Sequence, residues 1–144
     1  MVDIDKFIDC IQRFLIPEGF TGFGLVIYRD QVEALPISPL SAIATPHMSG
    51  KISDTVRYIF ELSKMSDPRH DGFHFLNEDL VLTNIAYYFA PPVHLCDIAL
   101  VMDVGSRIRT AQLGSMMANV DLVVVMDKKR NLYLFEDGVM RTVA

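Results

Sequence analysis

Residues 24–28 read Gly24-Leu25-Val26-Ile27-Tyr28, a short apolar run between turn residues. An unbroken run of this length predicts a strand buried on both faces, because a strand with one wet face alternates polar and apolar residues. Such a strand belongs in the middle of an α/β sheet. Upstream, Ile4, Phe7, Ile8, Ile11, Phe14 and Leu15 recur at helical spacing behind Asp3 as N-cap, and Pro17 and Gly19 end that helix. Downstream, residues 36–50 carry three prolines with several Ser and Thr and read as a loop. A second helix is expected over residues 53–63, with Val56, Ile59, Phe60 and Ser63 inward, until Ser66-Asp67-Pro68 stops it.

Two strands, over residues 71–76 and 80–89, then join through a tight turn at Asn77-Glu78-Asp79. Ala90-Pro91-Pro92 breaks the sheet, and residues 98–102 fit a short strand or a packed loop equally. A helix over residues 106–117 starts after Gly105. A buried strand (120–126), a turn (127–131), its hairpin partner (132–135) and a last strand (139–143) complete the chain. Helices interleaved with both crossover and hairpin strands predict an α/β fold with a mixed sheet flanked by helices.

With 144 residues, 51% of them hydrophobic, the chain suits one domain around one core. A net charge of -5 with scattered basic residues argues against a nucleic-acid polymer as partner. The one basic run, Lys128-Lys129-Arg130, reads as a polar turn. Cys10 and Cys96 show no metal spacing and read as free thiols. No apolar run approaches the roughly 20 residues of a membrane helix. Met1-Val2-Asp3-Ile4-Asp5 is acidic at once, unlike a secretory signal. The expectation is a cytoplasmic domain without a membrane partner.

Two segments carry candidate chemistry. In Gly105-Ser106-Arg107-Ile108-Arg109-Thr110, a glycine and a hydroxyl residue open a helix, whose free N–H groups and dipole favour an anion. Arg107 and Arg109 add bidentate donors suited to phosphate oxygens. A capped helix with two solvated arginines has the same pattern. In His70-Asp71-Gly72, a carboxylate before a strand suits Mg²⁺, Mn²⁺ or a ribose hydroxyl, and Gly72 lets a ligand approach the backbone. An ordinary Asp-Gly turn reads identically.

Together and in this order, the two segments resemble the diadenylate cyclase domain, including that of the DNA integrity scanning protein. There a His-Asp-Gly-Ala segment leads into a strand, and a Gly-Thr-Arg-His-Arg-Ala-Ala segment opens a helix some 30–40 residues on. The flanks Gly24 to Tyr28, residues 53–63, Phe89-Ala90-Pro91 and Asp121-Leu122-Val123-Val124-Val125 match as well, so the likeness spans roughly residues 20–138. The resemblance implies that Asp71 holds metal and ribose and that Gly72 and Phe73 shape the pocket. It implies that Phe89 faces the adenine, and that Gly105, Ser106, Arg107, Ile108, Arg109 and Thr110 surround the triphosphate. Asp71, Arg107 and Arg109 would be the catalytic set, with Mg²⁺ or Mn²⁺ on Asp71 and Asp127. The family joins two ATP into cyclic di-AMP across a head-to-head dimer, implying a homo-oligomer.

Three departures stand out. Phe73 replaces the small residue after Asp-Gly, filling the pocket or turning into the core. Ile108 replaces a histidine that can hydrogen-bond phosphate or ribose, a loss on the order of 10²-fold in rate if that contact serves the transition state. At the turn after the late strand, where the family has Ser-Glu, stands Asp127-Lys128-Lys129-Arg130. All three favour an adenine-nucleotide sensor, binding ATP or cyclic di-AMP with weak or no catalysis. An active diadenylate cyclase and a structural or partner-binding domain with a closed pocket remain alternatives. No P-loop or G-x-S-x-G elbow occurs, and His47, His74 and His94 lack ligand spacing. His74 reads as a structural histidine.

Overall fold

The computed structural model describes residues 3–48, 50–93 and 99–143. Strand β1 (Phe23–Tyr28) is buried along its whole length. It is the middle strand of a seven-stranded sheet ordered β2-β4-β3-β1-β5-β6-β7. The others are β2 (Ile37–Pro39), β3 (Phe73–Leu76), β4 (Leu82–Phe89), β5 (Val120–Met126), β6 (Leu132–Glu136) and β7 (Val139–Val143). β1 pairs parallel with β3 and antiparallel with β5. The remaining pairs are antiparallel. The sheet is therefore mixed, as the interleaved pattern predicts.

Helices cover both faces. On one, α1 (Ile4–Arg13) and α2 (Ile52–Leu62) cover Phe23, Leu25, Ile27, Val124 and Met126 with Phe7, Ile11, Val56, Ile59 and Phe60. On the other, α3 (Ser106–Gly114) lies over Val26, Phe73, Phe75, Phe89, Val123, Val125 and Phe135. Each large apolar side chain so buried contributes about 1.5–3 kcal/mol. An exposed ion pair such as Arg13–Asp9 contributes about 0–1. Burial on the two faces of the sheet therefore holds the fold.

Several boundaries differ from expectation, among them β3, which starts at Phe73 and not at residue 71. Asp3 does cap α1, accepting from the N–H groups of Asp5 and Lys6. The helix nevertheless ends at Arg13, and Leu15 is 85% exposed. The proline-rich loop contains β2, an edge strand, where Pro39 removes no needed ladder bond. β4 starts at Leu82 because Asn77 holds the preceding turn, accepting from the N–H groups of Asp79 and Val81. The third helix stops at Gly114, where Met116 and Met117 tighten into i→i−3 turns. Residues 99–102 are loop. Ile98, His94 and Cys96 lie outside the described residues.

Phe73 turns into the core. Its ring, 5% exposed, lies over Gly24 and edge-on to Phe89 at 5.7 Å. A Cβ at Gly24 would fall 2.5 Å from the Phe73 ring. The missing side chain on β1 thus provides the space for the large one on β3.

His74 has a structural task. Between Phe73 and Phe75 the β3–β4 register shifts by one residue, and Ala86 adopts φ 58. That bulge takes the Ala86 N–H out of the ladder, and the buried His74 Nδ1 accepts it at 3.0 Å. Burial, assisted by the charges of Arg107 and Arg69 and opposed by Asp67, pushes the His74 pKa down from 6.5 to about 3. Protonation therefore favours the unfolded chain. The histidine's contribution is complete above about pH 6.5 and is lost as pH falls toward about 3.

Two outcomes follow from this packing. Gly24→Ala lowers stability by about 1–3 kcal/mol through overpacking. In a urea-denaturation cycle its loss and that of Phe73→Leu fail to add, because one ring carries both. His74→Asn, which keeps an acceptor for Ala86 but cannot be protonated, flattens the fall in stability between pH 6.5 and 4. An unchanged slope in paired urea titrations would remove His74 as its source.

Candidate functional site

The loop before β3 is held from beneath. Arg69 grips Asp67 through Nε and Nη2, both at 3.0 Å, and donates from Nη1 to the Tyr58 hydroxyl on α2 at 2.8 Å. The Arg69 hydrogen bond, ahead of its charge, holds the Asp67 carboxyl below its usual value. The Asp67 carbonyl accepts from His70 Nδ1 at 2.6 Å. A carbonyl only accepts, so the proton sits on Nδ1 and Nε2 faces Asp71 Oδ1, 3.5 Å away. Asp71 itself is exposed. Gly72 follows at φ +77, where a Cβ would strike the Tyr87 carbonyl oxygen at 2.6 Å. Its lack of a side chain thus serves the closeness of β3 and β4.

Opposite stands the start of α3. Gly105 is the N-cap and supplies no side chain to the first N–H groups, and a Cβ there would meet nothing within 4 Å. Ser106 is exposed; Arg107, Ile108, Arg109 and Thr110 are partly buried. Arg107 borders two concavities. A wider one of about 780 Å³ brings together Asp71, Gly72, Phe73, Tyr88, Phe89, Pro91, Val93, Gly105, Ser106, Arg109 and Thr110. A narrower one of about 500 Å³ is lined by Thr21, Asp103, Val104, Gly105, Ile108, Val125, Met126, Asp127, Lys128, Tyr133 and Met140. Burial draws the Arg107 pKa below the ordinary arginine value, and the charge of Asp71 opposes that fall.

Asp71, Gly72, Phe73, Phe89, Gly105, Ser106, Arg107, Arg109 and Thr110 thus line the wider lobe, whereas Ile108 and Asp127 line the narrower one. Three of the expected roles are corrected. Phe89 is 3% exposed, its ring spent on Phe73, Phe75 and the backbone at Gly114. The exposed aromatic of the wider lobe is its neighbour Tyr88, 58% accessible. Ile108 lies in the narrower lobe and packs on the apolar cluster beneath α3. Arg109 donates through Nη2 to the Val101 carbonyl, while its Nη1 is buried without a partner among the described residues. Arg109 therefore fixes the 99–103 loop with one arm. Gln112, which the sequence reading passed over, helps: it accepts from Val101 N–H at 3.1 Å and donates to the Gly138 carbonyl at 2.9 Å.

A divalent cation on Asp71 and Asp127 does not fit these residues. Asp127 Oδ1 accepts the N–H groups of Lys129 and Asn131, and Oδ2 accepts the Asn131 amide, all at 2.9 Å. Three of its roughly four lone-pair directions close the β5–β6 turn. Asp71 lines the other lobe, and among the described residues no three His, Cys, Asp or Glu side chains group as a metal would require.

No family model and no curated protein matches the chain. Solved structures do. A hypothetical membrane-spanning protein from Bacillus cereus aligns at TM-score 0.72 with 17% identity, over 99% of this chain and 64% of that one. A cysteine-substituted variant of DacA from Staphylococcus aureus aligns at TM-score 0.63 with 19% identity, over 97% of this chain and 88% of that one. The chain thus spans under two thirds of the length of the first. At these identities the likeness establishes a diadenylate cyclase-like fold. Among the described residues no helix is long and apolar enough to cross a membrane.

Asp127→Ala should lower stability by about 0.5–1.5 kcal/mol, because the exposed turn loses the acceptor that closes it and its donors turn to water. Chemical denaturation with and without Mn²⁺ checks this. A loss that appears only when Mn²⁺ is present would return Asp127 to the role of metal ligand.

Proposed function

We propose that this domain binds an adenine nucleotide, with ATP and cyclic di-AMP as the candidates, and acts as a sensor with little or no cyclase activity. The observation that carries the reading is Arg107. It is a partly buried guanidinium between two lobes, at the uncapped start of a nine-residue helix and within the field of Asp71. Buried positive charge beside free backbone N–H groups suits phosphate oxygens. In this reading the phosphates lie along Arg107 and the first turn of α3, and Asp71 takes a ribose hydroxyl. The base enters the wider lobe against Tyr88, Pro91 and Val93.

The fold likeness supports the nucleotide class. The departures support binding over turnover, since Ile108 offers no hydrogen bond and the Asp127 carboxylate is engaged in its turn. Joining two ATP molecules would require a second copy facing this groove, so in this proposal a homodimer accompanies activity and a monomer suffices for sensing. The open wider lobe weighs against a pocket closed by Phe73.

Arg107→Ala weakens ATP binding at least ten-fold in isothermal titration, the scale of a charge-assisted hydrogen bond worth about 1.5–3 kcal/mol. After incubation with ATP and Mn²⁺, mass spectrometry should recover ATP and no cyclic di-AMP. Product that disappears in Asp71→Ala would establish an active cyclase instead. No affinity for ATP or cyclic di-AMP would leave the partner-binding role.

A further inference from the structure

The geometry points to a phosphate site that works without a divalent cation, its charge supplied by Arg107 and Lys128. This rests on the nucleotide reading above and specifies the chemical form bound: the metal-free anion. The narrower lobe joins the open start of α3 to the β5–β6 turn, and both Arg107 and Lys128 line it. Arg107 comes from the helix and is partly buried; Lys128 comes from the turn and is exposed. A phosphate chain at the α3 N-terminus therefore meets a cation on each side.

Among the described residues the acidic groups of this lobe are Asp103 and Asp127. Three hydrogen bonds that close the turn engage Asp127, and those bonds also present Lys128, the next residue, to the lobe. Asp103 is exposed in a loop at φ 60 and joins no metal-capable group of three among the described residues. A divalent ion here would sit between two cations with one engaged and one solvated carboxylate. The repulsion disfavours it, whereas a free triphosphate, more negative than its metal complex, gains from the same two charges.

The test is ATP binding to the whole chain by isothermal titration, in EDTA and in Mn²⁺, for wild type, Lys128→Glu and Lys128→Ala. Lys128 is an exposed turn residue, and unchanged melting temperatures confirm that the variants fold. The expected result is wild-type affinity in EDTA equal to or tighter than in Mn²⁺. Lys128→Ala weakens EDTA binding at least five-fold, and Lys128→Glu becomes Mn²⁺-dependent. Wild-type binding more than three-fold tighter in Mn²⁺ overturns the inference and leaves the nucleotide reading standing. So does unaltered affinity of both variants in EDTA. Absence of binding under both conditions overturns the nucleotide reading and this inference together.

Discussion

β1 is wet on neither face, and everything else in the molecule is arranged around that fact. Leu25 and Ile27 need the α1–α2 layer, and Val26 needs the α3 layer. Its two edges need β3 and β5. The parallel pairing with β3 demands a crossover, which carries α2 beneath the sheet. The antiparallel pairing with β5 brings the β5–β6 turn back beside the segment that enters β1. The groove where Asp71 faces α3 lies where these requirements meet.

The same constraint explains the glycine-aromatic exchange across β1 and β3. A ring at position 73 can remain on the α3 side only because position 24 has no side chain. Phe73 then engages Phe89, which packs on Phe75 and on Gly114 at the end of α3. The aromatic cluster floors the wider lobe and leaves Tyr88 as the exposed ring at its rim. Adjacent residues of β4 thus face opposite environments, Phe89 the core and Tyr88 the solvent.

Charge at the site follows a comparable division. Asp67 and Arg69 satisfy each other and hold the loop that presents Asp71. Asp127 holds the turn that presents Lys128. In both loops one carboxylate is structural, while Asp71 in the first and Lys128 in the second line the groove. The buried, neutral His74 belongs to the first kind, since it repairs a bulge.

Local periodicity was enough for the α/β class and for most elements, whereas the meeting of Asp71 and Gly72 with the start of α3 was implied by the family resemblance and not by any pattern in the residues. Buried strands, N-caps and Asx turns are short-range patterns, and Asp3, Asn77 and Gly105 act as their neighbours imply. Edge strand β2 was not legible, because three residues beside prolines gain their ladder only from β4. The roles of Phe89, Asp127 and Ile108 were not legible either. A motif gives residue type and order, but burial and hydrogen-bond occupancy depend on segments far away in the chain. Only the tertiary structure decides that Phe89 is covered, that Asp127's oxygens are engaged, and that Arg107 stands between two lobes.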